Sequence, residues 1–234
     1  MTNKTYDLKK DERYLQLLSQ SFPTIADAST EIINLQAILN LPKGTEHFLA
    51  DIHGEHEAFQ HVLKNASGNI KRKVNDLFGD TLRESEKREL CTLIYYPEQK
   101  IELVKQTETD IEDWYHIAIH RLVRICRDVS SKYTRSKVRK SLPVEFSYII
   151  QELLHESSAD KDKSDYVSAI ISTIISTGRA DDFITTICNV IQRLAIDSLH
   201  ILGDIYDRGP GAHVVMDILK NYHTWDITWG NHDI

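Results

Sequence analysis

Residues 200–210 read HILGDIYDRGP. Apolar residues run into Gly203-Asp204, and Asp207-Arg208-Gly209, Pro210 and a helical pattern follow. This is the pattern of a strand that ends in a tight turn and opens a helix. In an α/β fold it sets two carboxylates and a guanidinium at the carboxyl edge of the sheet, where such folds keep their sites. The strand signal covers residues 198–202. Pro210 suits the first turn of the next helix, to which Val214, Val215, Ile218, Leu219 and Tyr222 give one apolar face. Residues 226–229 form the next strand, ending at Gly230-Asn231-His232-Asp233. Strand, helix, strand at this spacing predicts parallel strands with a right-handed crossover, so both motifs should emerge side by side.

A third fragment lies far upstream. His47-Phe48-Leu49-Ala50 is a short apolar run ending in Asp51-Ile52-His53-Gly54, with a helical pattern over residues 55–63. Asp51 and His53 are two apart, so on an extended chain their side chains leave the same face and can share one cation. Gly54 lets the backbone turn sharply behind them. Alone, such a motif is a weak signal that also fits a solvated turn.

The remaining pattern is helical. Before the first strand, Tyr14, Leu17 and Leu18 make one stripe and Ile25, Ile32, Ile33, Leu35, Ile38 and Leu39 another, with Pro23 between. These predict two covering helices. From about residue 70 to 196, long stripes recur, among them Ile111, Tyr115, Ala118, Leu122, Ile125 and Val129. Phe146 to Leu153, Val167 to Ile174 and Phe183 to Leu194 carry others, and residues 156–165 read as a charged loop. His116 and His120 share a helical face, but no acidic neighbour completes a zinc-hydrolase motif, so both read as ordinary histidines. The basic run over residues 132–140 reads as a solvated helix face.

Composition narrows the class. The 234 residues are 41% hydrophobic and 27% charged, which is ordinary globular usage. A formal charge of −7 argues against a general role on nucleic acid or membrane surfaces. Cys91, Cys126 and Cys188 form no CxxC pair and suit buried thiols in a reducing compartment. The N-terminal residues hold no apolar signal core, and no stretch reaches membrane-span length. The expectation is a soluble, cytoplasmic protein.

Phosphomonoester hydrolysis needs a nucleophile, neutralised phosphoryl charge and an acid for the leaving oxygen. Two cations about 3.5–4 Å apart can meet the first two needs. A histidine oriented by a carboxylate meets the third, and arginine's fork matches two phosphate oxygens. The order DxHG, GDxxDRG, GNHD resembles the calcineurin-like metallophosphoesterases, in their phosphoprotein-phosphatase branch. The resemblance implies that Asp51 and His53 hold one metal, Asp204 bridges two, and Asn231 holds the second. It makes His232 the general acid, Asp207 its orienting partner and Arg208 the phosphate ligand. Ala50 and Asp233 depart from the usual Gly and Glu, and neither is expected to touch a metal.

The separation of Asp51 from Asp204 by 153 positions, the run DIHGEHEAF and the helical lead look like the class III fructose-1,6-bisphosphatases of Firmicutes. That resemblance covers nearly the whole chain. It implies a gluconeogenic enzyme that cleaves fructose 1,6-bisphosphate with two divalent ions, commonly Mn2+. The implied fold is α/β, the first half of a calcineurin-like β-sandwich flanked by helices, with a large helical insertion. The expected segments are a helical lead over 1–45, a first catalytic segment over 46–69, the insertion over 70–196 and a second catalytic segment over 197–234. In the family, two further histidines and another arginine come from a second sheet, which would lie beyond position 234. The expectation is therefore an N-terminal portion, inactive alone. A phosphoesterase acting on phosphoprotein or dinucleoside polyphosphate, and a non-catalytic fragment, are the alternatives. Homo-oligomerisation stays open.

Overall fold

The computed structural model describes residues 11–155 and 161–233. The chain divides after Pro42 into two compact units. The first holds α1 (Glu12–Ser21) and α2 (Ile25–Leu39). Thr24 starts α2 with a capping box: its hydroxyl accepts the Asp27 N–H, and the Asp27 carboxylate accepts the Thr24 N–H at 3.2 Å. Neither helix has a buried residue, and Ile25 is 88% exposed. The stripes are helical as expected, and their apolar residues are largely exposed.

The second unit is built on three parallel strands, β1 (Glu46–Leu49), β2 (Ser198–Ile201) and β3 (Trp225–Ile227), in that order across the sheet. After β1 come α3 (His56–Asn65), α4 (Asn69–Phe78), α5 (Glu84–Tyr95), α6 (Pro97–Thr107) and α7 (Ile111–Ser130). Then follow α8 (Arg135–Ser141), α9 (Ser147–His155), α10 (Lys161–Ser176) and α11 (Ala180–Ala195), which leads into β2. Residues 161–165, read as loop, belong to α10, and the rest of that charged stretch lies outside the described residues. Between β2 and β3 runs α12 (Ala212–Lys220). The protein is thus mostly helical α/β, with a small parallel sheet.

Two apolar cores follow from the periodicities. In the helical block the α7 stripe packs on that of α11, burying Tyr115, Leu122, Ile125, Phe183, Ile187 and Ile191 among others. All three cysteines are free and buried. Under the sheet, Leu199 and Ile201 meet Phe59 of α3 and Val215 and Leu219 of α12, with Ile52 and Ile205 from the strand-end turns. The alternation in β2 decides this: Leu199 and Ile201 point in, while His200 stacks on Phe48 at 4.5 Å on the other face.

The helical block is tied to the amino-terminal edge of the sheet. Asn69, buried at the start of α4, donates to the Ala195 carbonyl at 3.2 Å. Tyr133 donates to the Leu194 carbonyl at 3.0 Å, and His223 Nε2 meets the Ile196 carbonyl at 2.9 Å. Lys132 reaches Thr45 Oγ1 at 2.6 Å, and Lys137 pairs with Asp197. The basic run is therefore more than a solvated face, because two of its lysines clamp residues that precede strands.

Candidate active site

Three turns leave the carboxyl ends of the three strands, and backbone bonds stitch the first two together. The His53 N–H donates to the Asp204 carbonyl at 2.7 Å, the Gly209 N–H to the His53 carbonyl at 2.7 Å, and the Gly211 N–H to the Gly54 carbonyl at 3.0 Å. Glycine is required where these backbones meet. A Cβ on Gly209 would lie 2.4 Å from the His53 carbonyl oxygen. Because Gly211 is held outside the helix, α12 starts at Ala212, and Pro210 sits ahead of the first turn instead of in it. The third turn approaches the second as closely: a Cβ on Gly203 would lie 2.0 Å from Gly230 N.

The backbone conformation is unusual here. Among the described non-glycine residues with positive φ are Asp51 (54°), His53 (48°), Asp204 (57°) and Arg208 (69°), with Ala66 and Ser67 elsewhere. Aspartate and histidine visit this region more readily than most residues, but arginine does not. Such conformations cost about 1–3 kcal/mol each and gather where a surrounding structure holds them for a task.

The side chains carry a recognisable division of labour. His53 Nδ1 is hydrogen-bonded to Asp207 Oδ1, which leaves Nε2 facing Asp51 Oδ1 at 3.5 Å. A carboxylate on one ring nitrogen that frees the other is the arrangement by which a histidine is aimed at a cation. Asp207 serves two rings: its Oδ2 lies 3.5 Å from His232 Nδ1, and the His53 and His232 rings meet edge to face at 5.9 Å. Arg208 Nε also reaches this oxygen, at 3.1 Å, with the arginine side chain mostly in solvent. Burial pushes the Asp207 carboxyl up, but the bond to His53 and the charges of His232, His53 and Arg208 outweigh it, leaving the group below its ordinary value.

Asp204 Oδ1 accepts the His232 N–H at 3.0 Å, leaving Oδ2 without a partner among the described residues. Asn231 and His232 are exposed. The expected residues thus lie on three adjoining turns, with the expected ligands Asp51 and His53 3.5 Å apart. Among the described residues no three His, Cys, Asp or Glu side chains converge tightly enough to close on an ion. The donor chemistry nonetheless fits a divalent cation, with an open imidazole nitrogen and carboxylate oxygens not used by protein donors. One residue escaped the sequence reading. Asp233, expected only to avoid the metal, accepts the backbone N–H groups of Asp204 (2.6 Å), Ile205 (2.8 Å) and Gly230 (2.9 Å). No periodicity signals such a contact, since two of these partners lie 28 and 29 residues away.

Fold and site together define an α/β protein whose acid, imidazole and arginine groups meet at the ends of parallel strands. The chain belongs to the Firmicute fructose-1,6-bisphosphatase family, whose profile matches residues 13–234. A class 3 fructose-1,6-bisphosphatase of Bacteroides thetaiotaomicron is 76% identical over 224 residues, covering 96% of this chain and 34% of that one. A class 3 relative from Porphyromonas gingivalis is 65% identical over 97% of this chain and 35% of its own. One from Clostridium beijerinckii is 65% identical over 99% of this chain and 36% of its own. The chain therefore spans about a third of the length of the curated relatives it matches. No solved structure matches it.

Proposed function

We propose that this chain carries the first part of a metal-dependent fructose-1,6-bisphosphatase site and that, in a protein of its relatives' length, it releases the 1-phosphate of fructose 1,6-bisphosphate. The observation that carries the reading is the gathering of three motif-bearing turns, strained at Asp51, His53, Asp204 and Arg208, at one sheet edge of a family member. In this reading residues 46–69 and 197–234 are the catalytic segments of a calcineurin-like sandwich. Residues 70–196 are an insertion and residues 1–45 a helical lead. A cytoplasmic, gluconeogenic enzyme is the setting that fits.

Asp51 and His53 would hold one divalent cation, Asn231 a second and Asp204 both, with Mn2+ the preferred ion. When bound, such a pair supplies Lewis acidity toward the phosphoryl group and a lowered pKa for water. The residues of the chain do the rest. Arg208, its Nε on Asp207 and the rest of its side chain mostly in solvent, grips two phosphate oxygens. His232 gives its proton to the departing sugar oxygen. With Nδ1 turned toward Asp207, Nε2 is the nitrogen that delivers it. Asp207 fixes both imidazoles at once, so ligand aim and acid aim share one carboxylate.

The test is a segment exchange. This chain replaces the matching 224 residues of the Bacteroides thetaiotaomicron relative, and phosphate release is followed with Mn2+ present. Fructose 1,6-bisphosphate should be the preferred substrate. A folded, Mn2+-loaded exchange protein that spares the sugar bisphosphate and cleaves a phosphoprotein would sink the assignment.

A further inference from the structure

The carboxylate of Asp233 accepts four backbone N–H groups: those of Asp204 and Gly230 on Oδ2, and those of Ile205 and Tyr206 on Oδ1, the last at 3.4 Å. An ionised carboxylate offers about four acceptor positions, so this one has none left for a cation. The contact is reciprocal, because the Asp204 carboxylate accepts the His232 N–H from the turn that carries Asp233. Between the two crossing bonds Gly203 and Gly230 meet with no room for a side chain. The Asp204 backbone, at a φ of 57°, lies inside this clamp.

From this geometry we infer that Asp233 is a positioning residue: it locks the turn bearing Asp204 to the turn bearing Asn231 and His232, so that the ligands of the two turns are aimed as one body. The lock stands on the hydrogen bonds alone, and its effect on cation binding rests on the reading of the site given above. Only an acceptor without a proton fits. An amide at the same place would turn an NH2 group toward backbone donors, and a longer side chain would carry the carboxylate past at least some of the four N–H groups. Groups that orient metal ligands typically change affinity by about 10- to 100-fold when replaced.

Two measurements on the chain decide it. In the unaltered protein without metal, NMR couplings across the hydrogen bonds should link Asp233 Cγ to the amide nitrogens of Asp204, Ile205 and Gly230, and their absence overturns the lock. In Asp233→Asn, Mn2+ affinity by EPR titration should fall by about 10- to 100-fold, with amide exchange in the helical block unchanged. Affinity within twofold of the parent, with the couplings gone, makes Asp233 merely structural and overturns the positioning claim. If Asp233→Asn does not fold, Asp233→Glu is measured instead and should show a smaller loss of the same kind. An unaltered chain that takes up no Mn2+ overturns the cation reading and the positioning claim with it, while the couplings still decide the lock.

Discussion

At the scale of single residues, the site is organised by what each polar group has left to offer. His53 has given Nδ1 to Asp207 and keeps Nε2, while Asp204 has given Oδ1 to the His232 N–H and keeps Oδ2. Asp233 has given everything. In the exchange protein, His232→Ala should slow release from the sugar bisphosphate about 100- to 10,000-fold, the usual worth of a general acid. An aryl phosphate, whose leaving group needs no proton, should be slowed far less. Equal losses on both substrates would contradict the role given to His232. The motif residues themselves were legible in the sequence because strand, turn and helix patterns bracket them. The sharing of Asp207 between two imidazoles was not, since it depends on Gly209 and Gly211 drawing the second turn onto the first.

Secondary-structure elements show where pattern reading succeeds and stops. The three strands and the α7 and α11 stripes follow from apolar periodicity, which reports faces directly, and the parallel pairing of β2 with β3 follows from the strand–helix–strand spacing. What a face meets is not in the periodicity. The stripes of α1 and α2 are as regular as any, yet neither helix buries a residue. Likewise Lys132 and Lys137 read as surface charge until the fold brings Thr45 and Asp197 beside them. Asn69 joins the start of α4 to the end of α11, where the chain leaves the helical block for β2. Asn69→Ala strands the Ala195 carbonyl, at a cost of about 1–3 kcal/mol, measurable as a lowered urea midpoint. A change below about 0.5 kcal/mol, the range of ordinary surface substitutions, would show that water replaces the bond.

For the whole molecule, the joint at the amino-terminal edge also sets a pH response. Burial lowers the pKa of His223, as does nearby Arg193, against the opposing pull of the Ile196 carbonyl and Asp197. Burial also lowers His47 and, with His116, His120. The folded chain keeps these rings neutral at pH values where the unfolded chain binds protons. Stability is therefore insensitive to them well above the ordinary histidine value of about 6.5. It falls as pH drops through that value, and levels once the folded rings protonate too. Urea midpoints between pH 7.5 and 5 should trace this fall, and His223→Gln should make it shallower. A midpoint that rises toward pH 5 would contradict the assignment. Among the described residues no helix is long and apolar enough to cross a membrane.

We propose that three separate turns, the first two joined by backbone bonds and the last two by the Asp204 and Asp233 carboxylates, present at one sheet edge the ligands of one site for two divalent cations. Mn2+ binding to the chain, followed by EPR with and without Asp204→Asn, tests it most directly. The account predicts saturable binding that weakens at least about tenfold in the variant, as loss of a ligand charge requires. Equal binding by the two proteins would place any bound ion away from these turns and contradict the account.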